Sequence, residues 1–245
     1  GDATAERLLR TVPRGPQPLS LDQQRQVDEM LAELERTLAV FGQDRGAWRP
    51  LATWGLALML LAAFCYQLGS GGFDDAALVH QGAFLAGTLD GAWWRAATAS
   101  VLHANATHLL FNLLGLLLIG RIAEARVPRW TYLTTWFAAS IGGFVAYWVI
   151  PPKGALMGVG ASGGVMGLLG LALAVFVVNH RDRRSSLNSR ELRQLVLITV
   201  LQLFVDQVVP NIAALGHFAG LLIGFTIGLG VYGSRSAPGK PAPTT

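Results

Sequence analysis

Six stretches, at about 51–69, 101–120, 130–150, 155–178, 192–209 and 211–233, are apolar, nearly free of charge and close to the length of a membrane crossing. A hydrocarbon core about 30 Å thick takes roughly 20 helical residues to cross, and inside it the backbone must satisfy its own hydrogen bonds. Runs of this length therefore predict membrane helices, and an all-α polytopic membrane protein built as a six-transmembrane-helix bundle is the expected fold class. Composition agrees: only 14% of the 245 residues are charged and mean hydropathy is +0.43, whereas soluble domains carry roughly 25% charge. The 29 glycines suit close helix packing in lipid.

Basic residues near the ends of these stretches fix a direction. With the N-terminus inside, the inner segments hold Arg45, Arg49, Arg121, Arg126, Arg129, Arg181, Arg183, Arg184, Arg190, Arg193, Arg235 and Lys240, against Arg95 and Lys153 outside. Twelve against two places both termini in the cytoplasm and requires an even number of spans. In a chain this apolar, the net charge of +4 sets orientation in the lipid bilayer and does not indicate nucleic acid. Residues 1–50 read as a cytoplasmic tail. Within it Ser20 and Gln23 resemble a capping box, and Val27, Leu31, Leu34 and Leu38 mark an amphipathic helix over about 21–41. Residues 51–234 form the membrane domain, and the proline-bearing 235–245 segment is expected to be a short disordered cytoplasmic tail.

Polar side chains within spans are costly and point to function. Span two holds His103, His108 and Asn112, span four holds Ser162 within Gly158-Val-Gly-Ala-Ser-Gly-Gly164, and span six holds His217. All three spans start from the outer side. Counting helical rise from their expected starts places Ser162, His217 and His108 at one depth, roughly 10 Å in, with Asn112 one turn deeper on the face of His108. A serine hydroxyl needs a neighbouring base to become a nucleophile, and a neutral imidazole supplies one. His108, the Asn112 amide and the Ser162 backbone N–H are candidate donors to an oxyanion. No carboxylate falls in the uncharged cores of the spans, so the arrangement is a dyad without a third, orienting acid. Taken singly, Ser162 also reads as a small packing residue and His217 as an interhelical hydrogen-bonding residue. Gly216, Gly220, Gly224 and Gly228 read as a seam for a closely packed neighbour.

In order and on these spans, the motifs resemble the rhomboid family of intramembrane serine proteases. Gly160-Ala161-Ser162-Gly163 is similar to its nucleophile motif, and His217-Phe-Ala-Gly220-Leu-Leu-Ile-Gly224 to its last-helix histidine with the glycines that follow. His103, His108 and Asn112 resemble the second-helix pattern, and Trp94-Arg95 the Trp-Arg pair of the long outer loop. The resemblance implies six helices around a water-filled cavity, transmembrane protein substrates, no metal and no organic cofactor. It also implies a structural role for Trp94 and Arg95. Ser162 and His217 are then the expected catalytic residues of a serine endopeptidase that acts in or near transmembrane segments. Met166 departs from the pattern, standing where many relatives set an aromatic ring against the histidine. Short loops favour a bacterial inner membrane, with the site opening to the periplasmic side. Two other readings use the same residues: an inactive rhomboid-like protein that binds membrane clients, and a small transporter or channel lined by the His and Asn side chains.

Overall fold

Pro50 opens the first long helix, α1 (Leu51–Gly69), whose length of 19 residues corresponds to about 28 Å. The computed structural model describes residues 49–86, 92–150, 157–181, 188–208 and 214–233. The helix expected over 21–41 and the tail over 235–245 lie outside these residues. One face of α1 buries Thr53, Leu56, Leu60 and Gln67, while Trp54, Leu58, Leu61 and Leu68 are exposed. An exposed apolar face of this length suits lipid and would be unfavourable in water.

The connection that follows is folded. Asp74 caps α2 (Asp75–Gln81) by accepting the Ala77 N–H at 2.8 Å, and Gly82 ends that helix at φ +106°. A two-residue strand, β1 (Phe84–Leu85), precedes the short helix α3 (Arg95–Ala99). Asn105 is extended and its side chain accepts the His108 N–H at 2.8 Å, starting α4, a helix over Ala106–Glu124 with one π turn at Leu116–Gly120. Pro128 opens α5 (Arg129–Val149). Strand β2 (Met157–Gly158) pairs antiparallel with β1, Phe84 opposite Gly158 and Leu85 opposite Met157. The last three helices are α6 (Ser162–Arg181), α7 (Asn188–Val208) and α8 (Ala214–Tyr232).

Helix α6 is the centre of the bundle. Leu168, Leu169, Leu171, Ala172 and Ala174 around its circumference are completely buried, as expected for a helix that is apolar on every side. It packs most extensively on α8 and α5, then on α7. The glycine stripe of α8 makes the closest of these contacts possible. A Cβ on Gly220 would collide with the Gly163 carbonyl, and one on Gly224 with the Gly167 carbonyl.

Among the described residues three helices, Leu51–Gly69, Ala106–Glu124 and Ala214–Tyr232, are long and apolar enough to cross a membrane. Spans two and four start later than the sequence suggests. The expected start of span two, at 101, is displaced to Ala106 because Asn105 caps the helix there, so His103 precedes the helix. The start expected at 155 is displaced to Ser162 because 157–158 is committed to β2 and Gly160 has φ +132°, a left-handed conformation that no right-handed helix contains.

Candidate active site

Gly160 sets up the approach to α6. Its N–H donates to the Ala99 carbonyl at 2.9 Å, tying the turn to the end of α3. No other residue fits there: a Cβ would lie 2.7 Å from His108 Cε1, 2.9 Å from His108 Nε2 and 3.8 Å from Ser162 Oγ. The left-handed φ adds strain for any L side chain. Ser162 is then the first residue of α6. The N–H groups of Ser162 and Gly163 precede the first hydrogen bond of the turn, from Gly164 N to Ala161 O at 3.0 Å. They belong to the helix end whose donors lack intrahelical acceptors and whose dipole favours negative charge.

His217 lies in the first turn of α8, where the Gly163–Gly220 contact brings α8 against α6. Its Nε2 is 2.7 Å from Ser162 Oγ. The imidazole is buried and Ser162 partly so. The two residues therefore meet at helix ends. The ruler used on the sequence, six or seven helical residues of depth, does not apply to Ser162, since 157–161 is a strand and a turn.

His108 borders the pair on the far side of Gly160. Its Nδ1 accepts from the Ala104 N–H at 3.5 Å, and its Nε2 faces Gly160. Asn112, also buried, donates through Nδ2 to the His108 carbonyl at 3.0 Å and so braces the turn that carries His108. His103 is completely buried, with its ring edge-on to that of His108 at 5.3 Å between centroids. Trp94 and Arg95 lie elsewhere, within the connection between α1 and α4. Arg95 Nη1 donates to the carbonyls of Val79 (2.7 Å) and Ala83 (2.9 Å), and its guanidinium lies over the Trp94 ring at 4.9 Å. These contacts join the end of α2 to the start of α3.

Several contributors were not singled out in the sequence. Gln67, completely buried near the end of α1, accepts the His103 N–H at 2.9 Å and donates to the His103 carbonyl at 3.0 Å. A glutamine inside an apolar span was signal enough to find it. Ser140, Gly143, Phe144 and Tyr147 of α5 line a small hollow beside Ser162 and His217, and nothing in the spacing of α5 marked that face. Glu124, buried at the far end of α4, accepts the Ala52 and Thr53 N–H groups and the Thr53 hydroxyl, each at 2.8 Å. It caps α1 from a neighbouring helix. Sixteen residues of rise separate it from His108, about 24 Å, so it is not part of the site.

A family model described as "Rhomboid domain" matches residues 90–234, more than half of the chain. The chain belongs to the rhomboid family. It is accordingly a helical integral membrane protein. The rhomboid protease GluP of Bacillus subtilis is 31% identical over 188 residues, covering 74% of this chain and 36% of the relative. The rhomboid protease AarA of Providencia stuartii is 28% identical over 222 residues, 81% of this chain and 79% of the relative. A putative rhomboid protease of Bacillus subtilis, YdcA, is 32% identical over 142 residues, 58% of this chain and 68% of the relative. The chain thus spans about a third of the length of GluP and most of AarA.

Proposed function

We propose that this rhomboid is an intramembrane serine endopeptidase that hydrolyses peptide bonds in or near the transmembrane segments of membrane-protein substrates. The observation that carries this reading is the 2.7 Å approach of Ser162 Oγ to His217 Nε2 at two adjoining helix starts. Ser162 is the nucleophile and His217 the general base. The Ser162 hydroxyl proton passes to His217 Nε2 as Oγ attacks the carbonyl carbon. The resulting oxyanion is met by the Ser162 and Gly163 N–H groups at the positive end of α6, by His108 Nε2–H and by the second amide proton of Asn112. Collapse of the intermediate expels the amine, which takes the proton from His217. Water then attacks the acyl-enzyme, giving its proton to the same imidazole, and release of the acid restores Ser162.

An intact substrate helix hides its carbonyls in its own hydrogen bonds, so local unwinding precedes attack and helix-breaking residues assist it. Six spans, formed by α1, α4, α5, α6, α7 and α8, place both termini in the cytoplasm of a bacterial inner membrane. The site opens to the periplasmic side. In this arrangement 51–234 is the protease domain, flanked by the cytoplasmic segments 1–50 and 235–245. The Trp94-Arg95 pair and Gly160, Gly163, Gly220 and Gly224 are structural, and His103 supports His108.

The test is cleavage of a single-span substrate by purified protein, alongside fluorophosphonate labelling. Ser162→Ala is expected to lower cleavage by about 10⁴-fold or more and to abolish labelling, with the unfolding midpoint unchanged. Cleavage by Ser162→Ala at the wild-type rate refutes the assignment. Absence of labelling in the wild-type protein favours a client-binding or pore function instead.

A further inference from the structure

His217 is held toward Ser162 by more than its own helix. Gly143 of α5 and Gly216 of α8 meet backbone to backbone: a Cβ on Gly143 would lie 2.9 Å from the Gly216 carbonyl oxygen, and one on Gly216 3.2 Å from that of Gly143. One turn along α5 from Gly143 is Tyr147, buried, whose Cε2 would be 3.3 Å from the same Cβ on Gly216. Its hydroxyl oxygen accepts the Gly216 N–H at 3.3 Å. Gly216 is the third residue of α8, so this N–H is one of the first-turn donors for which the helix itself offers no acceptor. The next residue is His217.

Tyr147 is itself fixed from behind. It belongs to a buried cluster with Phe84, Phe144, Ala96 and Ala99, against which Trp148 packs. The Phe84 ring lies 5.2 Å from Phe144 and 5.4 Å from Trp148. Phe84 is in β1, which pairs with the strand leading to Ser162. One aromatic cluster therefore bears on the nucleophile through β2 and on the base through Gly216. Tyr147 and His217 also wall the same hollow beside Ser162.

We propose that Tyr147 is a positioning residue for His217, capping the first turn of α8 from α5 and so setting the distance between the imidazole and Ser162. This rests on the protease reading given above. It assigns to an α5 side chain a role in orienting the imidazole from outside α6 and α8. A displacement of about 1 Å in a reacting group is enough to cost about 10²-fold in rate, and loss of one such hydrogen bond corresponds to about three- to tenfold.

The experiment compares Tyr147→Phe and Tyr147→Leu with wild type in detergent, measuring kcat and KM for a single-span substrate, the rate of fluorophosphonate labelling at Ser162, and the unfolding midpoint. Tyr147→Phe is expected to lower kcat and the labelling rate together by about three- to tenfold, with KM within about twofold of wild type. Tyr147→Leu, which also removes the ring, is expected to lose about 10²-fold in both. Wild-type kcat and labelling per folded molecule in Tyr147→Phe overturn the proposal even if its midpoint falls, because the bond is then structural only. A change confined to KM overturns it too, by making Tyr147 a substrate contact. If Tyr147→Leu does not fold, Tyr147→Phe decides alone. Wild-type protein that neither cleaves nor labels removes the protease reading itself, a result distinct from either outcome in the variants.

Discussion

Where α6 meets α8, the carbonyls of Gly163 and Gly167 press against the Cα positions of Gly220 and Gly224, with no side chain between the two backbones. Where α1 meets α4 and α5, the joint is a cluster of polar side chains: the Glu124 carboxylate on the start of α1, the Thr53 hydroxyl 2.9 Å from that of Tyr132, and Arg129 Nε 3.8 Å from Glu124. The first joint fixes the spacing of the α6 and α8 backbones to within the tolerance of van der Waals contact, since a carbonyl cannot turn aside as a side chain can. The second joins helix ends through hydrogen bonds whose partners can adjust, and it stands about 24 Å along α4 from His108. The helices that carry Ser162 and His217 thus meet by backbone contact, and the remote end of the bundle is closed by side-chain chemistry.

Gly224→Val tests the contrast most severely. Its Cβ collides with the Gly167 carbonyl, and we expect a loss of about 3 kcal/mol or more. Ser162 labelling should fall sharply even in the fraction that remains folded, and a folded protein with normal labelling would show that the seam does not set the site. Glu124→Ala removes the cap of α1 and leaves two N–H groups and a hydroxyl to find other partners, an expected cost of about 2 kcal/mol read from the unfolding midpoint. Its turnover per folded molecule should equal that of wild type. A large drop in turnover would mean that the two joints are coupled. The smallest effect belongs to Thr53→Val, which deletes one hydroxyl from that cluster and should cost about 0.6 kcal/mol, in line with interhelical hydrogen bonds in membranes.

Much of this arrangement was legible because lipid simplifies the code. Apolar length alone marked the long helices, and Ser162, His217 and His108 stood out as polar residues in apolar runs. The α8 stripe from Gly216 to Gly228 announced a close neighbour. What escaped was everything decided by irregular backbone. The residues before Ser162 are apolar and glycine-rich like a packed helix, yet the left-handed Gly160 and the β1–β2 pairing make them an extended segment and a turn. Two-residue strands leave no period to detect. Glu124 falls beyond the apolar run over 101–120, and its role depends on a helix start more than seventy residues away in sequence. Tyr147 escaped too, because contact with Gly216 is visible only once the glycines of two distant helices are brought together.

The pairing of Phe84–Leu85 with Met157–Gly158 bears on how such proteins can be recombined. The connection between α1 and α4 is not an exchangeable appendage, because one of its strands is laid against the segment that delivers Ser162 and the end of its last helix accepts the Gly160 N–H. A chimaera that imports residues 70–105 from a relative must bring the relative's counterpart of 157–161 with it. Swapping the two together preserves a matched part, and swapping either alone leaves Ser162 seated on a foreign support.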